Sequence, residues 1–434
     1  MRTGTMARLG RGLSRLQLQA QNRAKVLAAA RAEFAARGFE GAKVDAIAER
    51  AGLTRGAVYS NFSGKRALYF SVLADLAEGA PAPRRPEPPA TPAAALGAYA
   101  RILLTGLPLT SEHGRLGSRL QQEILAEEAT RSAYAQLLKL DAVVLGLCLE
   151  EVHRRGASAA APRRVRSREP GSAPRVVRSP DPGAAPRMVR AAEAALTFLY
   201  GARQLADSAP GFVDPFHAVA ACERLAAVAD DGSWPPAYLP YAAEAVPCDR
   251  PWEPPPATDV LRARPARLGG ADGVVAVLGL QRLEAVEELV RSAEPGAQVT
   301  AVLVSADPHE LTPLARLTLA ELRTCVSGVF PPETWPALRI VYDGTHAVAG
   351  AVGLDAVDDG TEAAVRIEAG RITAFAGGRG ACHAAASSSA TGPSAATAEP
   401  SPAATKPSPA VTRTSPAATR TSPPPVPAER PVPH

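Results

Sequence analysis

Residues 34–69 read FAARGFEGAKVDAIAERAGLTRGAVYSNFSGKRALY, a stretch in which short helices alternate with tight turns. Apolar residues recur at helical spacing over 22–37, which predicts a first helix with one apolar face. Gly38 follows, where glycine commonly terminates a helix. A second helix is predicted over 44–51 and a third over 55–61, so the segment is a compact set of three helices.

Three residues set the angle between the second and third helices. Ala48 is small where two helices cross closely, and Gly52, four residues later, can adopt the positive φ of a tight turn. Val58 then packs the third helix back on the first, and Thr54 can cap its N-terminus. A small residue, a glycine and a β-branched residue at these offsets indicate a helix-turn-helix.

The string Gly-Ala-Val-Tyr-Ser-Asn-Phe-Ser-Gly-Lys at 56–65, followed by Leu68, is more specific than a generic helix pair. It resembles the recognition helix and following turn of the TetR/AcrR family of transcriptional regulators. The resemblance covers roughly 20–230 and is highly specific over 22–68. It implies a homodimeric regulator, expected to be a repressor, that binds a palindromic operator on double-stranded DNA. It also implies release by a small-molecule effector of unknown identity.

A recognition helix places its N-terminal residues near base edges in the major groove, and in this sequence those residues are 54–57. The residues expected to contact DNA are Lys43, Thr54, Arg55, Gly56, Ala57, Tyr59, Asn61 and Lys65. Arg55 can contact a guanine with two hydrogen bonds, worth about 1–3 kcal/mol of discrimination. Gly56 and Ala57 leave room for close approach to the bases, whereas Lys43 and Lys65 suit phosphates.

Tyr59 and Asn61 lie where members of the family usually touch phosphate or base. Two other interpretations stay open: a merely solvated basic face, and a purely structural role for the Tyr59 ring. Asp45 is acidic and is therefore not included among the DNA contacts.

Charge is concentrated at the N-terminal end. Residues 1–68 hold 13 Lys and Arg against 4 Asp and Glu, whereas the whole chain has a net charge of +5. A basic end on a mildly acidic body indicates one surface suited to a polyanion. Residues 1–20 are expected to form a disordered basic arm, and 21–68 the DNA-binding domain.

Residues 69–232 are expected to form an all-α ligand-binding and dimerisation domain. Its last helices, Val189–Ser208 and Pro215–Ala229, resemble the dimerisation pair of the family. The apolar stripe expected at a four-helix interface comprises Leu196, Leu199, Tyr200, Arg203, Phe216, Val219 and Ala220, with a purely intramolecular core as the alternative. Candidate residues for an effector pocket are Leu120, Glu123, Ile124 and Tyr134, although ordinary packing or a surface position explains each of them better.

The loop at 158–187 contains a 12-residue repeat that begins APRRVRSREPGS, and the tail carries a heptad repeat over 401–421. Tandem duplication without a function explains both. The alternative for the first is an Arg-rich loop that adds nonspecific affinity for phosphates. The segment 233–265 is rich in proline and is expected to be a linker, and 387–434 a disordered tail rich in Pro, Ser, Ala and Thr.

Residues 266–386 switch to short β-branched runs alternating with helical stretches, which predicts a mixed sheet covered by helices. The predicted strands are 274–278, 298–304, 338–342, 363–368 and 371–376, and the predicted helices are 281–293, 309–323 and 346–352. This module resembles a thioredoxin-like fold of the peroxiredoxin type. The reactive cysteine implied by that resemblance is replaced by Leu278 to Gln281. Cys325 and Cys382 lie elsewhere, so a degenerate domain is expected, with a redox sensor or redox enzyme as the alternative function.

Composition excludes several classes of protein. The sequence has no apolar run of about 18 residues, so no membrane span is expected, and its N-terminus lacks a hydrophobic signal segment. Five scattered cysteines without CxxC spacing argue against a disulfide scaffold or zinc site. We therefore expect a cytoplasmic protein without a metal site. The family resemblance further implies a bacterial, nucleoid-associated and non-enzymatic protein, and no cofactor is expected. A scaffold built on the Pro-rich tail is a further alternative.

Overall fold

The computed structural model describes residues 15–81, 83, 87–105, 116–117, 119–160, 187–228 and 244–388. The helices are α1 (Arg15–Gly41), α2 (Val44–Ala51), α3 (Arg55–Tyr59), α4 (Lys65–Glu78), α5 (Pro92–Thr105), α6 (Leu120–Leu125), α7 (Glu128–Ala160), α8 (Val189–Ser208), α9 (Pro215–Leu225), α10 (Ala285–Ser292), α11 (Leu311–Val329), α12 (Ala347–Val352) and α13 (Ala381–Ser387). The strands are β1 (Val246–Pro251), β2 (Ala257–Asp259), β3 (Arg264–Ala266), β4 (Gly273–Gly279), β5 (Gln298–Val304), β6 (Leu338–Tyr342), β7 (Glu362–Glu368) and β8 (Arg371–Gly377). The heptad repeat at 401–421 and most of the 12-residue repeat lie outside the described residues. The expected disordered tail beyond Ser388 lies outside them as well.

The N-terminal helices follow the predicted pattern. Within α1 the backbone leaves helical geometry at Gly38, which has φ 66° and ψ 179°. The helix begins at Arg15, so the last residues of the expected basic arm at 1–20 are helical, and residues 1–14 lie outside the described part. Val26, Ala30 and Phe34 are buried on its inner face.

Helices α8 and α9 start where the sequence predicts the last two helices of the body. Asp214 caps α9 by accepting hydrogen bonds from the backbone N–H groups of Phe216 and His217. The expected interface stripe is partly wrong, because Leu196 and Leu199 are buried inside the same chain. Phe216 of the expected stripe is exposed, and beside it Phe198, Leu205 and Phe212, which the sequence analysis did not name, are exposed as well.

The α/β region is built on one mixed sheet, with strand order β1-β8-β7-β4-β5-β6-β2-β3. Strands β4, β5 and β6 are parallel, whereas β7 pairs antiparallel with β4 and β8 with β7. The predicted strands and helices of this region are present, with small shifts: the helix expected at 281–293 covers Ala285–Ser292, and that at 309–323 covers Leu311–Val329. The prediction of a mixed α/β sheet is confirmed.

Strands β1, β2 and β3 lie in and beside the segment 233–265 that was expected to be a linker, so that expectation is wrong from Val246 onward. Strand β1 pairs only with β8 at one edge of the sheet, and β2 and β3 form the other edge. Proline is tolerated on edge strands because the N–H that it lacks would point to solvent there and would not form a hydrogen bond within the sheet. Pro247 and Pro251 occupy such an edge in β1.

Side chains alternate between the two faces of the sheet, as the period of a strand requires. Val274, Ala276 and Leu278 of β4 join a cluster that continues through α11 and the helical body to α1. Val275 and Val277 point to the other face, which α12 and the ring of Trp252 cover. The helix-turn-helix, the helical body and one face of the sheet therefore share a continuous apolar core.

Helix α7 is, among the described residues, long and apolar enough by composition to cross a membrane. Most of it is buried inside the protein, where it packs against α8 and α11. A core helix meets the same criterion, and its burial identifies α7 as such a helix.

Candidate nucleic-acid interface

The turn between α2 and α3 has the geometry that the sequence predicts. Gly52 adopts φ 66° and ψ 34°, and the N–H of Leu53 donates to the carbonyl of Ala48 at 3.0 Å. The side chains of Ala48 and Val58 are buried at 4% and 2% exposure. A small residue at the crossing and a buried anchor on α3 thus fix the angle between the two helices.

The first turn of α3 faces solvent. The hydroxyl oxygen of Thr54 accepts from the N–H of Ala57 at 3.2 Å and caps the helix. Thr54, Arg55 and Gly56 are exposed, and Ala57 is half-buried. A Cβ atom added to Gly56 would meet only the Thr54 hydroxyl, at 3.9 Å, so the backbone is open to close approach.

Arg55 is held by two neighbours. Its Nη1 lies 3.2 Å from Oδ1 of Asp45, and its guanidinium lies 5.5 Å from the centre of the Tyr59 ring. Hydrogen bonding to Tyr59 and then the charge of Asp45 raise the pKa of Arg55 above its ordinary value. Asp45, which the sequence analysis does not include among the DNA contacts, is brought beside Arg55 by the α2–α3 crossing and helps Tyr59 to orient it.

Tyr59 and Asn61 differ in availability. Tyr59 is 42% exposed and presents its ring beside Arg55. The amide nitrogen of Asn61 donates to the carbonyl of Ala57 at 2.8 Å, and the backbone carbonyl of Asn61 accepts from Arg23 at 3.1 Å. Asn61 thus closes the C-terminal end of α3, and its amide is engaged there.

The two lysines flank this surface. Lys43 is exposed immediately before α2. Lys65 begins α4, where its Nζ donates to the carbonyl of Glu40 at 3.1 Å and lies 4.6 Å from the centre of the Phe39 ring. Lys65 is therefore positioned by the residues that follow Gly38, and it is half-buried whereas Lys43 is exposed.

A buried polar pair lies in the helical body between α5 and α7. The hydroxyl of Tyr99 donates to Oδ1 of Asp141 at 2.8 Å, and both residues are almost completely buried. Burial raises the pKa of Asp141 to about 7, against the lowering effect of the Tyr99 hydrogen bond. The negative charge of Glu321 adds to this rise, and burial is the largest influence on the protonation of the carboxyl group.

A cleft of about 300 Å³ opens between α7 and α8. Its lining residues are Ala135, Leu138, Lys139, Ala142, Glu193, Leu196, Thr197 and Tyr200. Tyr134, one of the plausible effector residues, packs edge-on against Tyr200 at 6.4 Å. Leu120, Glu123 and Ile124 lie on α6 and do not line this cleft.

The cysteines that the redox alternative requires lie in unsuitable surroundings. Cys325 and Cys382 are buried, and burial raises the pKa of each thiol. A reactive cysteine needs a lowered pKa and access to solvent. The adjacent His383 bonds to Ser292 at 2.7 Å, and no cluster of His, Cys, Asp or Glu suited to a metal occurs in the part of the chain that the structure describes.

Comparison with known proteins identifies the N-terminal segment. Residues 26–72 match the family model for bacterial regulatory proteins, tetR family. A TetR transcriptional regulator from Rhodococcus sp. RHA1 is similar at 15% identity over 49% of this chain and 95% of that chain, with a TM-score of 0.27. NalD, the secondary repressor of the MexAB-OprM multidrug efflux pump in Pseudomonas aeruginosa, is similar at 20% identity over 50% and 99%, with a TM-score of 0.26. No curated protein matches the chain. Because both TM-scores are low, the assignment of residues 26–72 rests on the family model alone.

Proposed function

We propose that this chain, whose residues 26–72 carry a tetR-type N-terminal domain, is a DNA-binding transcriptional regulator. The observation that supports this most is the first turn of α3, which is capped by Thr54 and exposed, and whose angle to α2 is fixed by the turn at Gly52 and the buried Val58. Such a helix enters the major groove with its N-terminal residues against base edges. Lys43, Thr54, Arg55, Gly56, Ala57 and Tyr59 are the proposed contacts, with Lys65 on a phosphate and Asn61 as a weaker candidate.

Replacing Lys65 by alanine should weaken binding to all DNA sequences about equally, because a phosphate contact carries no sequence information. The slope of log affinity against log salt should become shallower by about 1. Fluorescence anisotropy over a salt series on two unrelated duplexes measures both effects. Lys65→Gln separates the charge from the bond to Glu40, and Lys139→Ala, far from α3 in sequence and paired with Glu193, is the control. A loss confined to one duplex would contradict the phosphate role.

We propose further that the regulator is a homodimer on a palindromic operator, because one helix-turn-helix reads only a half-site. Support comes from the exposed apolar side chains of α8, α9 and their connection, with Phe212 at 74% and Phe216 at 85% exposure. Phe198 and Leu205 are seven residues apart on α8 and therefore share a face. A second copy would cover these side chains in a four-helix interface.

The Phe216→Asp variant should be monomeric at micromolar concentration and should bind a full palindrome at least about 100-fold more weakly, because each half-site would be bound alone. Sedimentation velocity and anisotropy measure the two effects. Leu125→Asp, which changes a residue of 52% exposure on α6, is the matched control. A Phe216→Asp variant that stays dimeric would show that the dimer interface lies on another surface.

The remaining parts of the proposal concern control of the regulator. A small apolar effector would enter the helical body, where the α7–α8 cleft and the ring of Tyr200 offer an apolar wall, and would release a repressor from its operator.

The thioredoxin-like character of 266–386 is likewise a proposal, supported by its mixed sheet. Action on chromosomal DNA would place the protein in the bacterial cytoplasm at the nucleoid.

A further inference from the structure

Helix α4 directly follows the recognition helix and its turn, and it is buried around its circumference. Eight consecutive residues, Ala67 to Ala74, are buried. On one side the Tyr69 ring packs against Phe34 at 5.3 Å and Phe39 at 4.9 Å. A helix buried on every side needs partners beyond the three helices that precede it.

The other partner of α4 is α11, from the α/β region. The two helices pack closely along their lengths, and α11 is itself buried over most of its residues. Leu68, Leu73 and Leu314 belong to the same apolar cluster, which reaches the sheet through Val274 and Leu303. The α/β region therefore forms one wall of the DNA-binding module.

Charges at the C-terminal end of α4 strengthen this contact. Asp75 and Glu78 lie in the last turn, which has no basic residue, so both face the negative end of the helix dipole. Arg316 of α11 donates to Glu78 at 2.9 and 2.5 Å and to Asp75 at 2.9 Å. Arg323 donates to the backbone carbonyl of Glu78 at 3.2 Å.

The N-terminal end of α4 shows the opposite arrangement. Arg66 lies in the first turn, where the helix dipole disfavours a cation. Glu310, the residue before α11, accepts from Arg66 at 2.8 and 3.2 Å, and Glu127 forms a second ion pair with it. Each end of α4 thus carries charges of unfavourable sign, and α11 or the residue before it supplies compensating charges at both ends.

We propose that α11 clamps α4, so that the α/β region sets the orientation of the helix-turn-helix, with Arg316 as the positioning residue. The proposal rests on the proposed DNA-binding function for its consequence. A change in the α/β region that shifts α11 would move α4 and, through Tyr69 and α1, the recognition helix. The α/β region would then control DNA binding without contacting DNA and without a reactive cysteine.

The test compares Arg316→Ala, the swapped pair Arg316→Glu with Glu78→Arg, and a control in the full-length chain. The control is Arg291→Ala, because Arg291 bonds to Glu150 of α7 at 2.6 and 2.7 Å and so also joins the α/β region to the body, but away from α4. Two quantities are measured: affinity for the best duplex bound by the wild type, and hydrogen exchange of amides in 44–59 and 65–78.

Arg316→Ala should lower operator affinity at least fivefold and raise exchange in both segments, the swapped pair should recover part of each loss, and Arg291→Ala should change neither. Equal effects of Arg316→Ala and Arg291→Ala would overturn the clamp. A wild type without sequence-specific binding would refute the proposed function instead. Hydrogen exchange would still decide whether α11 holds the helix-turn-helix.

Discussion

Replacing Arg55 by alanine should lower affinity for the preferred operator about 5- to 150-fold, the range that corresponds to 1–3 kcal/mol for a two-bond contact to guanine. Affinity for nonspecific DNA should fall far less, because the loss concerns a base and not a phosphate. Asp45 and Tyr59 already hold the guanidinium beside the exposed first turn of α3. Asp45→Ala should therefore also reduce discrimination, by releasing Arg55.

Arg154→Ala is the matched control for Arg55→Ala. The two arginine side chains have similar exposure, 66% and 62%, and each is paired with an acidic residue. Binding to the operator and to variants with one substituted base pair would be measured at one stated salt concentration. If Arg55→Ala and Arg154→Ala bind this panel with the same preferences as the wild type, Arg55 does not read a base.

The second large effect concerns Asp141 and the pH dependence of stability. Burial raises its pKa in the folded state to about 7 from an ordinary value of 3.8. Its contribution to folding stability is therefore fully present below the unfolded pKa and is lost as pH rises through the folded pKa. Between pH 5 and pH 8 this one group should lower the free energy of unfolding by about 2–3 kcal/mol.

Asp141→Asn should remove most of that decline, since an amide cannot ionise. Urea unfolding at pH 5 and pH 8 measures the free energy of unfolding for each variant. Tyr99→Phe should make the decline steeper, because the Tyr99 hydroxyl stabilises the carboxylate at 2.8 Å. Glu49→Gln, at an exposed position on α2, serves as the control. An unchanged decline in Asp141→Asn would show that the carboxyl group is not responsible.

The sequence predicts those parts of the fold that local residues determine. Gly38, Gly52 and Thr54 act within a few residues of their own positions, and their turns and cap are present in the structure. Strands β4, β5 and β6 are recognisable as β-branched runs because they are buried on both faces of the sheet.

The remaining features depend on partners that are distant in sequence. Strand β1 is stabilised by pairing with β8, which is distant in sequence. Its own residues are rich in proline, so the local sequence predicted a linker there. Arg316 and Glu78 are separated by 238 residues, and no local pattern relates them. Asp45 and Arg55 are only ten residues apart in sequence. Their ion pair nevertheless depends on the angle between α2 and α3, so the sequence pattern did not predict that these two side chains meet.

The most direct test of the regulator is a DNA-selection experiment on purified full-length protein, with bound duplexes sequenced at a stated salt concentration. We expect enrichment of one inverted repeat, with half-site centres one helical turn or a multiple of it apart. That result would establish dimeric, sequence-specific binding and provide the duplex for the variants above. Salt-sensitive binding without any enriched motif would contradict the account, because the N-terminal module would then bind only phosphates.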